Sequence, residues 1–284
     1  MDNKSILITG SKGQLGKALL DKYPGAQTVD REELDIADKV SVDNFNWDGI
    51  KLILNAAAYT NVDGAETDDG RISAWMVNAV AVANLVNIAV KYDMTLVHVS
   101  SEYVFNGKQD HHKEDEPLSP LGVYASSKAA GDIAIQLAPK HYLIRTSWVI
   151  GEGKNFVRAM LELGSKGVEP SVVNDQIGRL TFTSELVKAI DFLITNNKEY
   201  GTYNVSNSGE PTSWADITRT IFEYAGFSLN VRDVSTEEYF KDKLNASPRP
   251  LMSTLSLDKI QSLGFELSDW KDDLKAYIKK EQST

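Results

Sequence analysis

Residues 5–22 read SILITGSKGQLGKALLDK, and the first two-thirds of that stretch decides the fold. Ser5 to Thr9 is an apolar run of strand length, the pattern of a central parallel strand covered on both faces. Gly10, Gly13 and Gly16 follow at once, and Gln14 to Lys22 can continue as a helix. Strand, glycine turn and helix in that order make an anion site. The glycines let the backbone approach a pyrophosphate, and the helix start offers free N–H groups with a partial positive charge. Gly10, Lys12, Gly13, Gln14, Leu15 and Gly16 are therefore expected around the phosphates of a dinucleotide. The spacing is GxxGxxG rather than GxGxxG.

Further along, Gln27 to Val29 reads as a second strand ending at Asp30, twenty residues beyond Gly10. A carboxylate there can accept from a ribose 2'-hydroxyl, which suits NADH, whereas the neighbouring Arg31 can hold a 2'-phosphate, which suits NADPH. Lys51 to Asn55 is a third strand, followed by Ala56, Ala57, Ala58 and Tyr59. Three alanines leave room for a cofactor against the backbone, or simply allow close helix packing. A long helix spans Arg71 to Tyr92, and Thr95 to Val99 is a fourth strand. Ser100 and Ser101 come next, at a strand's carboxyl end, where ligands bind in open α/β sheets. His141 to Arg145 supplies a further strand.

The fold class expected is α/β, a Rossmann-type doubly wound parallel sheet forming a dinucleotide-binding domain over residues 1–150, with later segments returning to it. Residues 151–284 form mainly a smaller, partly interleaved α+β substrate lobe. Its expected helices are Asn155–Gly164, Ser184–Asn196, Trp214–Ala225 and Trp270–Lys280, with short strands at Ser171–Val173 and Tyr203–Val205.

Residues 121–131, LGVYASSKAAG, hold the chemistry. Pro117 and Pro120 disfavour a helix before them, so one begins near Val123 and sets Tyr124 and Lys128 side by side, one turn apart. An ammonium beside a phenol favours the phenolate, so Lys128 is expected to lower the pKa of Tyr124, which could then protonate an alkoxide. Ser101 is the third member, placed to contact a substrate carbonyl.

A net charge of −10 argues against nucleic acid or an anionic membrane as partner. The absence of cysteine excludes thiol chemistry and fits a reducing compartment, so a cytoplasmic location is expected. The most apolar window, Trp75 to Val90, reads as too short to span a bilayer and carries Asn78, Asn84 and Asn87. His111, His112, Glu114, Asp115 and Glu116 lack ligand spacing on a rigid element and read as a solvated loop. No metal site is expected, and nothing in the sequence supports Mg2+.

The motifs GSKGQLG, LNAAAYTNVDGAE, HVSSEYVFNG, YASSK, RTSWVIGEGKNFV, VVNDQIGRLT, GTYNVSNSGEPTSW and SPRPLMSTL run in order from residue 10 to residue 255. Together they resemble the dTDP-4-dehydrorhamnose reductases of the extended short-chain dehydrogenase/reductase family. The resemblance implies NADPH- or NADH-dependent reduction of a dTDP-4-keto sugar. Tyr124 would be the general acid. Lys128 would bind the nicotinamide ribose, and Ser101 would hydrogen-bond the C4 oxygen. Glu102, where aspartate is usual, would touch the sugar; Tyr103 and Trp148 would line the sugar and nucleotide pocket. Arg249 would lie near the diphosphate, Asp35 and Ile36 near the adenine, and Ala56 to Tyr59 and Ser100 beside the cofactor. A capping role before the helix from Lys39 is an alternative for Asp35. Ala125 and Leu180 replace the usual glycine and proline. A homodimer and a 3,5-epimerase working alongside belong to the same implication. The competing readings are another sugar-nucleotide 4-ketoreductase or 4-epimerase, and a non-catalytic dinucleotide-binding regulatory subunit.

Overall fold

The computed structural model describes residues 2–283 and contains one six-stranded sheet. Its strands are β1 (Ile6–Thr9), β2 (Gln27–Val29), β3 (Leu52–Asn55), β4 (Thr95–Ser101), β5 (His141–Thr146) and β6 (Gly201–Asn204). They lie in the order β6-β5-β4-β3-β1-β2, every neighbouring pair parallel. The chain reverses direction across the sheet between β1 and β3, so their carboxyl ends flank a crevice at the topological switch point.

Alternate side chains of each strand enter opposite cores. Ile6, Ile8, Leu52 and Leu54 meet Leu19 of α1 (Gln14–Lys22) on one face. Leu7, Ile53, Leu96 and Leu143 point to the other face. There a helical run continues unbroken from α2 (Asp68–Trp75) through a π-turn (Met76–Val80) into α3 (Ala81–Lys91), which contributes Val82 and Leu85. At 24 residues this run is long and apolar enough to cross a membrane, so the expectation that it is too short is corrected. Its Ala81, Val82, Leu85, Val86, Ile88 and Ala89 are nevertheless buried in the protein.

α4 (Val123–Ile135) begins at the expected residue. β4, however, runs two residues past its expected end, so Ser100 and Ser101 sit on the strand, paired with Arg145 and Thr146. Helices α5 (Phe156–Ser165), α6 (Thr183–Thr195) and α7 (Trp214–Ala225) fall where sequence places them. α6 packs its Leu186 and Ile190 beside Leu19 in the first core, and β6, expected among the short strands of the second lobe, is the outer strand of the main sheet. A separate core holds Met160, Leu180, Ile221, Phe222, Trp270 and Leu274.

The segment expected to be a solvated loop is partly interior. The His112 ring is fully buried, stacked on Phe105 with centroids 4.6 Å apart. Its Nδ1 lies 2.9 Å from Glu116 Oε2 and its Nε2 3.1 Å from the Met252 carbonyl. An imidazole stacked on one side and paired at both nitrogens is a structural pin, which the polarity of the sequence alone conceals.

Candidate active site

The crevice at the β1/β3 switch is a cavity of about 630 Å3 lined by Gly10, Gly13, Asp30, Ile36 and Ala56 to Ala58. Gly10 has φ +67°, and a Cβ on it would stand 2.7 Å from the backbone of Ala57. A Cβ on Gly16 would meet the Gly10 carbonyl oxygen at 2.2 Å. Both positions therefore require glycine for close backbone approach. Gly13 precedes α1 with no side-chain cap, leaving the helix start open toward the cavity. This shape and donor set fit a pyrophosphate.

Asp30 accepts from Ser11 Oγ at 2.9 Å and lies 3.7 Å from Lys12 Nζ. Lys12 is exposed rather than part of the cavity wall, and Gly16 is buried behind it. Arg31 reaches from the rim to Asp35, 3.2 Å away. Asp35 caps no helix: it accepts from the Ala37 amide at 3.0 Å, and Asp38 caps the short helix Lys39–Asn44. Tyr59 lines neither this cavity nor the next. Its amide and carbonyl are held by Asn78 at 2.9 and 3.1 Å, and its ring packs near Ala65, Ala74 and Tyr124.

A second cavity of about 600 Å3 shares Gly13, Ala56 and Ala58 with the first and is lined by Gln14, Leu15, Ser100, Ser101, Glu102, Tyr103, Tyr124, Lys128 and Trp148. The serine, tyrosine and lysine singled out by sequence thus line one cavity. Ser101 Oγ donates to Glu102 Oε2 at 2.7 Å and accepts from the Tyr103 amide at 3.2 Å. Tyr124 and Tyr103 meet edge to face, centroids 5.5 Å apart.

The electrostatics differ from the expectation. Burial pushes the Tyr124 phenol up, and Glu102 and Tyr103 add to that; the Ser101 hydroxyl opposes it. Lys128 does not offset this rise. Its Nζ donates to the Val99 carbonyl at 2.8 Å, and burial brings its own pKa down to about 8, opposed by Asp132 one turn further along α4. Asp132 is itself buried and paired with Arg145 Nε at 2.8 Å. Desolvation thus outweighs the local pairing inferred from helical spacing. Burial likewise raises Glu102 to about 7, against its hydrogen bonds from Ser101 and the backbone.

Trp148 adopts φ +44°, an uncommon conformation for a bulky residue, and stacks on Trp214 at 3.8 Å. Arg249 lines a third cavity of about 270 Å3, walled by Met160, Trp214, Tyr239 and Phe240. Its guanidinium lies over Phe240, 4.1 Å from the centroid, and Nη2 donates to both oxygens of Asp63 at 2.8 and 2.9 Å.

Sequence reasoning missed Asp63, Glu66, Asp132 and Trp214, and named Asn78 only as a polar residue in an apolar window. That isolation was a usable signal: the buried Asn78 amide lies in the π-turn and also donates to Ser127 Oγ at 3.0 Å. Gln14, expected at the phosphates, instead has its Oε1 accepting from the Gly151 amide at 2.7 Å. Among the described residues no group of three or more His, Asp or Glu could hold a metal ion.

Comparison with known proteins gives the family. Residues 4–283 match the family model described as the RmlD substrate binding domain. The spore coat polysaccharide biosynthesis protein SpsK of Bacillus subtilis is 36% identical, with 98% of each chain covered. A dTDP-4-dehydrorhamnose reductase of Aggregatibacter actinomycetemcomitans is also 36% identical over 95% of this chain and 97% of its own. The crystal structure of dTDP-4-dehydrorhamnose reductase from Bacillus anthracis in complex with NADP superposes with a TM-score of 0.89 at 34% identity, covering 97% of this chain and 98% of that one. By sequence along nearly its whole length, and by fold, the chain belongs to the RmlD substrate-binding-domain family.

Proposed function

We propose that this chain reduces the C4 ketone of dTDP-4-dehydro-L-rhamnose to give dTDP-L-rhamnose, with NADPH or NADH as reductant. The observation that carries this reading is the gathering of Ser101, Tyr124 and Lys128 on a cavity that shares its floor with the glycine-walled crevice. Gly10, Gly13 and the start of α1 would hold the pyrophosphate, and Asp30 and Arg31 would meet the adenosine ribose. Lys128 would bind the other ribose. When bound, the dihydronicotinamide supplies the hydride.

The protein's own contribution is proton placement. The Tyr124 phenol, pushed up further by burial, is protonated at neutral pH, the form a general acid needs. Its proton passes to the C4 oxygen as negative charge gathers there, and a hydrogen bond from Ser101 stabilises the same charge. Ser101 has only one proton to donate, and in the present arrangement it goes to Glu102. Protonated Glu102 can instead donate to Ser101 Oγ, freeing the serine proton for the substrate. Trp148 and Trp214, with Arg249 beyond them, offer stacking faces and a cation to the nucleotide diphosphate.

On this reading residues 1–150 serve mainly the cofactor and residues 151–284 mainly the sugar nucleotide, and a 3,5-epimerase working alongside would deliver the substrate. The test is a spectrophotometric assay with enzymatically made dTDP-4-dehydrorhamnose and each reduced cofactor in turn. Stoichiometric oxidation of added NADPH or NADH is expected. Turnover of a sugar nucleotide with no net oxidation would indicate an epimerase, and tight dinucleotide binding without any turnover would indicate a regulatory subunit.

A further inference from the structure

Tyr124 lies in the first turn of α4, yet that helix has no side-chain cap of its own, because Gly122 precedes it. Glu66, far away in sequence, supplies the acceptor. Its Oε1 receives the Val123 amide at 2.9 Å and Ser247 Oγ at 2.8 Å. A Cβ on Gly122 would stand 2.4 Å from Ser247 Oγ and 2.7 Å from Glu66 Oε1, so the bare glycine makes room for this junction. A carboxylate is also favoured there by the partial positive charge of the helix start.

The same junction reaches the third cavity. Asp63 accepts from the Ser247 amide at 3.0 Å and from Arg249 Nη2, while Arg249 Nη1 donates to the Ser247 carbonyl at 2.6 Å. One connected set of hydrogen bonds therefore links the guanidinium on the cavity wall, through Ser247 and Glu66, to the turn that carries Tyr124.

We propose that Glu66 is a positioning residue for Tyr124, and that Asp63 makes its junction responsive to an anion at Arg249. A diphosphate reaching the guanidinium competes with the Asp63 carboxylate, which loosens the hold on Ser247 and changes how firmly Glu66 is shared with α4. An arriving ligand can act this way only because it binds the two arrangements differently. The inference rests on the third cavity receiving a sugar nucleotide, as proposed above.

Exchange of the Val123 amide, followed by NMR with and without dTDP as the probe, tests it together with steady-state kinetics. Glu66→Ala should speed that exchange about tenfold or more and lower kcat about tenfold, with NADPH affinity unchanged within about twofold. Glu66→Gln keeps an acceptor oxygen and should retain kcat within about threefold. In the unaltered protein dTDP should change the exchange rate. Ser247→Ala, which leaves the cap in place but cuts the link, should abolish that response; it also covers the case in which Glu66→Ala does not fold. Native kcat in Glu66→Ala, or an intact dTDP response in Ser247→Ala, overturns the proposal. A wrong substrate assignment would show separately, as absence of NADPH oxidation with the Val123 exchange still governed by Glu66.

Discussion

Around the crevice at the sheet's switch point the backbone does the shaping: Gly10 lies against Ala57, Gly16 lies against the Gly10 carbonyl, and three alanines leave the floor bare. Around Arg249 the walls are large side chains from distant segments, Met160, Trp214, Tyr239 and Phe240, with Asp63 brought in from the far side. The two regions should fail differently. Added atoms ruin the first, and changed side-chain chemistry retunes the second. The capping junction of α4 reaches Arg249, and its lysine lines the neighbouring cavity that shares Gly13, Ala56 and Ala58 with the crevice.

The largest effect belongs to the backbone-built region. Gly10→Ala forces a side chain into φ +67° and toward Ala57, so it should cost about 3 kcal/mol of stability and abolish dinucleotide binding, read by denaturant unfolding and cofactor fluorescence. A variant that binds NADPH normally would break the contrast.

Glu102 gives a pH-dependent effect of similar size. Its pKa is about 7 in the folded protein against 4.5 as the ordinary value, so between those limits the native state binds more protons than the unfolded one. Stability therefore falls as pH rises through that window, and the full penalty, about 3 kcal/mol at most, is present above pH 7. Glu102→Gln should flatten the curve and exceed the native protein in stability above that pH. Unfolding midpoints that fall in parallel with pH would contradict it.

On the side-chain-built region, Arg249→Gln should raise KM for the sugar nucleotide about tenfold, roughly 1.4 kcal/mol, without changing NADPH affinity. Steady-state kinetics with each substrate varied separates the two. The smallest effect is that of Arg31→Ala: the side chain is 87% exposed, so stability should change by less than about 0.5 kcal/mol, while the ratio of NADPH to NADH affinity drops. An unchanged ratio would remove Arg31 from the ribose site.

What sequence revealed follows the same division. SILIT and the glycines after it, KLILN before three alanines, and the start of α4 after Pro120 were legible because strand length, turn chemistry and proline act locally. The pairing of Arg249 with Asp63 across 186 positions was not, nor was the loan of Glu66 to α4, since both depend on tertiary approach. Helical spacing put Tyr124 and Lys128 on one face but could not tell how deeply either is buried, and burial decides both pKa shifts. His112 was misread for the related reason that a polar residue in a polar stretch gives no sign of the aromatic ring it stacks on.

The role of the Tyr124 hydroxyl is tested most directly by single-turnover reduction of dTDP-4-dehydrorhamnose with Tyr124→Phe, cofactor affinity being measured on the same preparation. A fall in rate of about a hundredfold or more, with NADPH binding unchanged, is the expected result. Native turnover without the phenolic proton would contradict the account.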